Sequence, residues 1–230
     1  ATGDFDPHSS DVDFVVVTDD PLTDEHFLSL VALHGNFAAG DSPWAVEIEC
    51  LYIPVRDLRR YDGTHPRYPR VDRGSGDLFM AQHDVDWVIQ RYVLREYGVA
   101  LLGPPANTLI DPVEPDDLRR ALVELMDIWW EPMVHDPSQL RHLGYRTYAI
   151  LTMCRVLYTL QHGTVVSKPV AARWAMRTEA ASWAGLIEKA LAWRKEDTGG
   201  EGADLDETAD LIGYTAACCR AFTSGSQPRG

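Results

Sequence analysis

The sequence predicts an α+β protein whose two halves differ in character, and three observations carry that prediction. The acidic doublet Asp11-Val12-Asp13 runs straight into the apolar stretch Phe14-Val15-Val16-Val17. Strand and helix signals mix over the first hundred residues, whereas beyond Pro112 the signals are helical throughout. The change of pattern places a domain boundary between 105 and 113, with one domain over 1–108 and an all-α bundle over 109–230.

Asp13 to Thr18 reads as a short buried strand. Thr23-Asp24-Glu25 is an N-cap with an acidic first turn, opening a helix through about Phe37 that closes near Gly40. From Trp44 to Pro54 the chain alternates in part, with Ala45, Glu47 and Glu49 on one face and Val46, Ile48 and Cys50 on the other, which predicts a second strand. Residues 59–76 carry Pro, Gly and five arginines (Arg59, Arg60, Arg67, Arg70, Arg73) without apolar periodicity, and read as a surface loop. This basic island is either solvated or placed near a nucleotide. A helix from about Asp84 to Tyr97 ends at Gly98, before the short run Val99–Leu102 and the Gly103-Pro104-Pro105 break.

In the second half, Glu114-Pro115-Asp116-Asp117 opens a helix to Trp130 with Leu118, Leu122 and Leu125 at helical spacing. Further helices fit Leu143 to Gln161 with a stop at Gly163, Pro169 to Met176, Ala180 to Arg194, and Asp206 to Phe222. A loop over Glu196 to Gly202 and a Ser/Gly/Pro tail complete the chain.

Composition bounds the function. A chain of 230 residues that is 45% hydrophobic can bury substantial cores. The net charge of −14 argues against sequence-independent nucleic-acid binding, which needs Lys and Arg on phosphates. It suits either a cationic small substrate or plain solubility. Cys50, Cys154, Cys218 and Cys219 form no C-x-x-C pair and read as buried free thiols in a reducing compartment, with no zinc site. Neither a transmembrane run nor a signal peptide is legible, so the expected location is cytoplasmic, with no membrane partner.

The doublet carries the chemistry. Alternate side chains of a strand share a face, so Asp11 and Asp13 project together and stand close enough to hold one divalent cation. Mg²⁺ takes one or two carboxylates and completes its shell with water and substrate phosphates, which points to phosphoryl or nucleotidyl transfer. Solvated strand ends give the same D-x-D pattern. The approach Gly3-Asp4-Phe5-Asp6-Pro7-His8-Ser9-Ser10 favours the metal reading, because small residues let backbone N–H groups and hydroxyls come close to a triphosphate.

Four segments in order resemble one family: Gly3 to Asp13, Gly98-Val99-Ala100-Leu101-Leu102-Gly103-Pro104, Leu109-Ile110-Asp111-Pro112-Val113, and Leu151-Thr152-Met153-Cys154-Arg155 followed by Val166-Ser167-Lys168-Pro169-Val170-Ala171-Ala172-Arg173-Trp174-Ala175. The chain is similar over nearly its whole length to the aminoglycoside adenylyltransferases of the streptomycin and spectinomycin type. The resemblance implies a nucleotidyltransferase domain, a mixed sheet with flanking helices, joined to a helical bundle. ATP and Mg²⁺ lie between the two, and AMP passes to a hydroxyl of an aminoglycoside or aminocyclitol antibiotic. It implies Asp11 and Asp13 as metal ligands, Glu49 as general base with Glu47 as the alternative, and Ser10, Arg155 and Lys168 as nucleotide contacts. Lys168 at a helix start, where the dipole disfavours a cation, makes sense if an anion binds there. Trp193 matches an aromatic position near the nucleotide or packs in the core.

Departures from the family bear on the acceptor. Trp129 aligns with a drug-facing tryptophan, yet the 59–80 region lacks another. An acidic position is Tyr145 and a following Asn position is Tyr148, while Asp136 lies in a loop longer than the family's and is a candidate replacement for the lost carboxylate. The family carries Gly-Ser before its Ala-x-Gly-Asp segment, so the resemblance implies a helix, a strand and half the phosphate loop upstream of Ala1, and weak or absent catalysis for 1–230 alone. Two alternatives stay open: the same fold acting on a different small acceptor, and a non-catalytic nucleotide- or partner-binding relative.

Overall fold

The computed structural model describes residues 10–64, 66–193, 204–223 and 225. The Gly3–Ser9 approach, the 196–202 loop and most of the C-terminal tail lie outside the described residues. The chain divides into two compact units that meet in sequence between Pro112 and Val113.

In the N-terminal unit, β1 (Val12–Thr18) and β2 (Ile48–Pro54) pair in parallel, with Val12 opposite Ile48 and Thr18 opposite Pro54. Parallel neighbours need a crossover, supplied by α1 (Asp24–Ala38). Thr23 caps it, its Oγ1 accepting the His26 N–H at 3.2 Å, with Asp24 and Glu25 in the first turn. After the short α2 (Val55–Arg59), β3 (Arg67–Val71) pairs antiparallel with β2, and β4 (Leu78–Gln82) pairs antiparallel with β3. The strand order is β1-β2-β3-β4. α3 (Asp86–Tyr97) and α4 (Ala106–Leu109) follow.

The period-2 alternation of the strands builds two cores. Leu51, Ile53 and Tyr68 pack with Val15, Val17, Trp87 of α3 and Ile110 on one face. Cys50, Tyr52, Val71 and Leu78 pack with Phe14, Val16, Phe27 and Leu30 of α1 on the other. Arg91, 2% exposed, ties α3 to α2 by donating to the Leu58 carbonyl at 2.7 Å and the Asp57 carbonyl at 2.5 Å.

Two expectations need correction here. The second strand begins at Ile48, not Trp44, because residues 44–47 form a turn closed by Ala45 N–H to Ser42 O and Glu47 N–H to Trp44 O, both near 3 Å. The 59–76 stretch is not a loop throughout: it ends α2 and contains β3, the first arm of a hairpin with β4. Arginines and Pro69 hide the alternation, yet Tyr68 and Val71 are 8% and 1% exposed. Pro69 has no N–H, and the β2–β3 pairing stops at Leu51–Arg70, where Pro69 would come next.

The C-terminal unit is helical. α5 (Pro115–Leu125) starts with Pro115 at its first position and the Glu114 N–H bonded to Asp117 Oδ2. The helix does not stay α to Trp130 as expected; Met126–Trp130 is a π-turn, with the Glu131 N–H reaching the Met126 carbonyl at 2.8 Å. α6 (Pro132–His135) and a 3₁₀ turn at Gln139–Arg141 lead into α7 (Leu143–His162). Ala149, Ile150, Met153 and Cys154 of α7 are fully buried, and α5, α8 (Lys168–Ala175), α9 (Ala184–Trp193) and α10 (Leu205–Thr223) pack around it. Gly163 ends α7 in the left-handed region, φ +67°, its N–H on the Thr159 carbonyl. All four cysteines are free, and Cys50, Cys154 and Cys219 are buried. Among the described residues no helix is long and apolar enough to cross a membrane.

Candidate active site

The acidic doublet lies at the start of β1, and the parallel register sets it against β2. Asp13 is directly opposite Glu49, and the chain direction brings Glu47 level with Asp11, its carbonyl accepting the Val12 N–H at 2.9 Å. Asp11, Asp13 and Glu49 belong to the alternating set that continues as Val15, Val17, Leu51 and Ile53, so all three carboxylates project from one sheet face. Ser10 precedes them, half-buried. Burial pushes the Glu49 carboxyl up, and the charges of Asp13, Asp11 and Asp72 push it further, against a lowering pull from Arg70.

Antiparallel β3 adds to the same end of the sheet. Leu51 is opposite Arg70, so the next step on that face brings Asp72 level with Glu49. Arg70 Nε donates to Asp72 Oδ1. Arg73, in the turn beyond, pairs with Glu47 at 2.5 Å, while the Gly74 N–H reaches the Val46 carbonyl at 2.8 Å. Burial holds the Asp86 carboxyl at about 6, with Arg70 again pulling it down.

Among the described residues no three His, Cys, Asp or Glu side chains converge on one metal position. Mg²⁺ does not require that, since water and phosphate oxygens complete its shell. Two hard carboxylates whose charges raise the pKa of a third are a donor set that fits it.

In the C-terminal unit, Tyr145, Tyr148 and Arg155 recur at helical spacing along α7. The π-turn presents Trp129, 52% exposed, whose indole N–H donates to the Tyr145 hydroxyl at 3.1 Å. Trp130, Tyr145 and Tyr148 form a ring cluster with centroids 5.7–6.3 Å apart. Lys168, first residue of α8, places its ammonium 5.0 Å from the centre of the Tyr148 ring. Asp136 is exposed, and its Oδ1 accepts the Ser138 N–H, a local turn contact. Trp193 lies under the buried Arg146 guanidinium, 5.6 Å from ring centre to Cζ.

The chain is 31% identical over 218 residues to an aminoglycoside (3'')(9) adenylyltransferase of Escherichia coli, covering 91% of this chain and 79% of the relative. It belongs to the aminoglycoside adenylyltransferase family. Residues 108–217 match the family described as aminoglycoside adenylyltransferase, C-terminal domain. A spectinomycin 9-adenylyltransferase of Staphylococcus aureus is 24% identical over 176 residues, 73% of this chain and 64% of the relative. The fold is shared with a spectinomycin adenyltransferase from Enterococcus faecialis, solved with ATP and spectinomycin, at a TM-score of 0.70 and 17% identity over 92% of this chain and 86% of that one.

For an aminoglycoside adenylyltransferase family member, the structure groups the sequence-derived candidates in two sets. Asp11, Asp13, Glu49, Glu47 and Ser10 lie in the N-terminal unit; Arg155, Lys168, Trp129 and Asp136 lie in the C-terminal unit. Sequence reasoning read Arg70 only as one of five arginines in a basic island, and passed over Asp72 and Asp86. The i, i+2 spacing of Tyr68, Arg70 and Asp72 was the available signal for Arg70 and Asp72.

Proposed function

We propose that the protein is an ATP- and Mg²⁺-dependent adenylyltransferase that moves AMP from ATP to a hydroxyl of an aminoglycoside or aminocyclitol antibiotic. The observation that carries this reading is the placing of Asp11, Asp13 and Glu49 on one sheet face, in a chain of this family. Asp11 and Asp13 would hold Mg²⁺, which when bound neutralises phosphate charge. Glu49 takes the proton of the acceptor hydroxyl as its oxygen bonds to the α-phosphorus. The bond from that phosphorus to the bridging oxygen breaks, and pyrophosphate leaves. A carboxylate raised by burial and like charge is a better base near neutral pH than an ordinary one. Glu47, level with Asp11, is the alternative base. Ser10, Arg155 and Lys168 are the nucleotide contacts of this reading, and Trp129 and Asp136 its acceptor contacts.

A second reading keeps the transfer and changes the acceptor. Tyr145 and Tyr148 form rings where a polycationic drug calls for carboxylates, which favours a hydroxylated acceptor with fewer positive charges. Incubation with ATP, Mg²⁺ and a panel including streptomycin, spectinomycin and uncharged aminocyclitols, read by pyrophosphate release and product mass, tests both. An AMP adduct on either antibiotic supports the first reading, and an adduct only on another acceptor supports the second. ATP binding by calorimetry without any adduct returns the chain to a non-catalytic nucleotide binder.

A further inference from the structure

We infer that Arg70 is a positioning residue for the carboxylate site, the cation that holds Glu49 in line between Asp13 and Asp72. The inference rests on the adenylyl-transfer reading and adds to it a residue on a different strand.

The argument starts from the sheet. Glu49 has Asp13 of β1 directly opposite it on one side, and on the other the β2–β3 register, continued one residue past the end of β3, brings Asp72 toward it, where its charge acts on Glu49. Three carboxylates gathered in this way repel one another. With nothing between them, Glu49 would be driven away from its neighbours and from an incoming hydroxyl. Arg70 is two residues before Asp72 on the same face, opposite Leu51, and its guanidinium is engaged with Asp72 at Nε. It is only partly exposed, 34% of the side chain, and β3 is flanked by strands on both sides, so its backbone is fixed. Its positive charge also acts on Glu49 and on Asp86 at the start of α3. One arginine thus offsets Asp72 directly and supplies opposite charge to Glu49, so that the like charges on either side of the base do not displace it. A planar guanidinium with five donors suits this better than a mobile ammonium, although a lysine retains the charge.

Steady-state kinetics on the protein and on Arg70→Met, Arg70→Lys and Arg70→Met/Asp72→Asn test the assignment, with thermal melting to confirm folding. Arg70→Met is expected to lower kcat roughly tenfold or more at saturating ATP and acceptor, with both KM values within about twofold. Arg70→Lys recovers much of the loss. The double variant recovers part of it, because removing the Asp72 charge removes what Arg70 offsets. A folded Arg70→Met with kcat within about twofold of the parent overturns the inference while leaving adenylyl transfer standing. A loss that neither Arg70→Lys nor the double variant relieves also overturns it, assigning Arg70 to folding alone. A parent protein that adenylylates no acceptor overturns the adenylyl-transfer reading and this inference with it.

Discussion

Asp13 and Glu49, remote in the chain, are direct partners across the parallel β1–β2 pair, and the charge of one raises the pKa of the other. Glu49→Gln is therefore expected to lower kcat by roughly a hundredfold or more and to stabilise the fold. The folded state holds the Glu49 proton more tightly than the unfolded chain does. Ionised Glu49 hence costs stability at neutral and alkaline pH, and the cost fades as pH falls toward and through its raised pKa. Melting curves of parent and variant should differ at pH 8 and converge in acid. Activity retained by Glu49→Gln but lost in Glu47→Gln moves the base to Glu47.

Asp86 gives a second pH signature with the same sign. Its carboxyl is held at about 6 by burial, above the usual aspartate value of 3.8. The ionised form is the costly one, and the cost is present above about 6 and relieved as pH falls through it toward 4. Asp86→Asn should raise the melting temperature at pH 7.5 and leave it unchanged near pH 4.

The ring set of α7 and the π-turn should act on the acceptor alone. Trp129→Ala is expected to raise acceptor KM about tenfold with ATP KM unchanged, since a half-exposed indole supplies stacking area. Tyr145→Phe, which removes the oxygen that accepts the Trp129 N–H, should give a smaller change of about two- to fivefold, on the order of 0.5–1 kcal/mol.

Lys168 and Arg155 should act on the nucleotide. Lys168→Met and Arg155→Met are each expected to raise ATP KM by roughly 10–100-fold, the scale of one lost charged contact to phosphate. Acceptor KM should hold. Unchanged ATP KM in both would remove the two residues from the triphosphate site.

Gly163→Ala tests the end of α7. The left-handed conformation costs a non-glycine residue about 1–2 kcal/mol, and the added Cβ would fall 2.6 Å from Pro115 Cβ, well inside contact distance. A total loss of about 2 kcal/mol or more should appear as a lowered denaturation midpoint, with KM values unchanged.

Legibility in the sequence followed the strength of local signals. Thr23 with its acidic first turn and Gly163 after an apolar helix are local chemistry, and α1 and α7 begin and end within a residue or two of where those residues place them. β3 was hidden because what makes it a strand is not local: Tyr68 and Val71 belong to cores on opposite sheet faces, and arginines and a proline separate them. The π-turn was equally invisible, since one extra residue per turn leaves an apolar pattern that still reads as helix. In the site, the common face of Asp11 and Asp13 follows from period two alone. The approach of Asp72 and Arg70 depends on the register of a strand the pattern did not disclose.

The β1–α1–β2 crossover has a further consequence, for how the protein folds. Asp13 and Glu49 become neighbours only when two strands separated by a 15-residue helix close a parallel ladder, and the entropy of that closure is spent before any strand contact repays it. The hydrogen bonds inside each helix of the C-terminal unit are local and can form sooner. A refolding chain can therefore regain most of its helical signal while its carboxylates are still apart. The return of site chemistry, not of helicity, marks the native state.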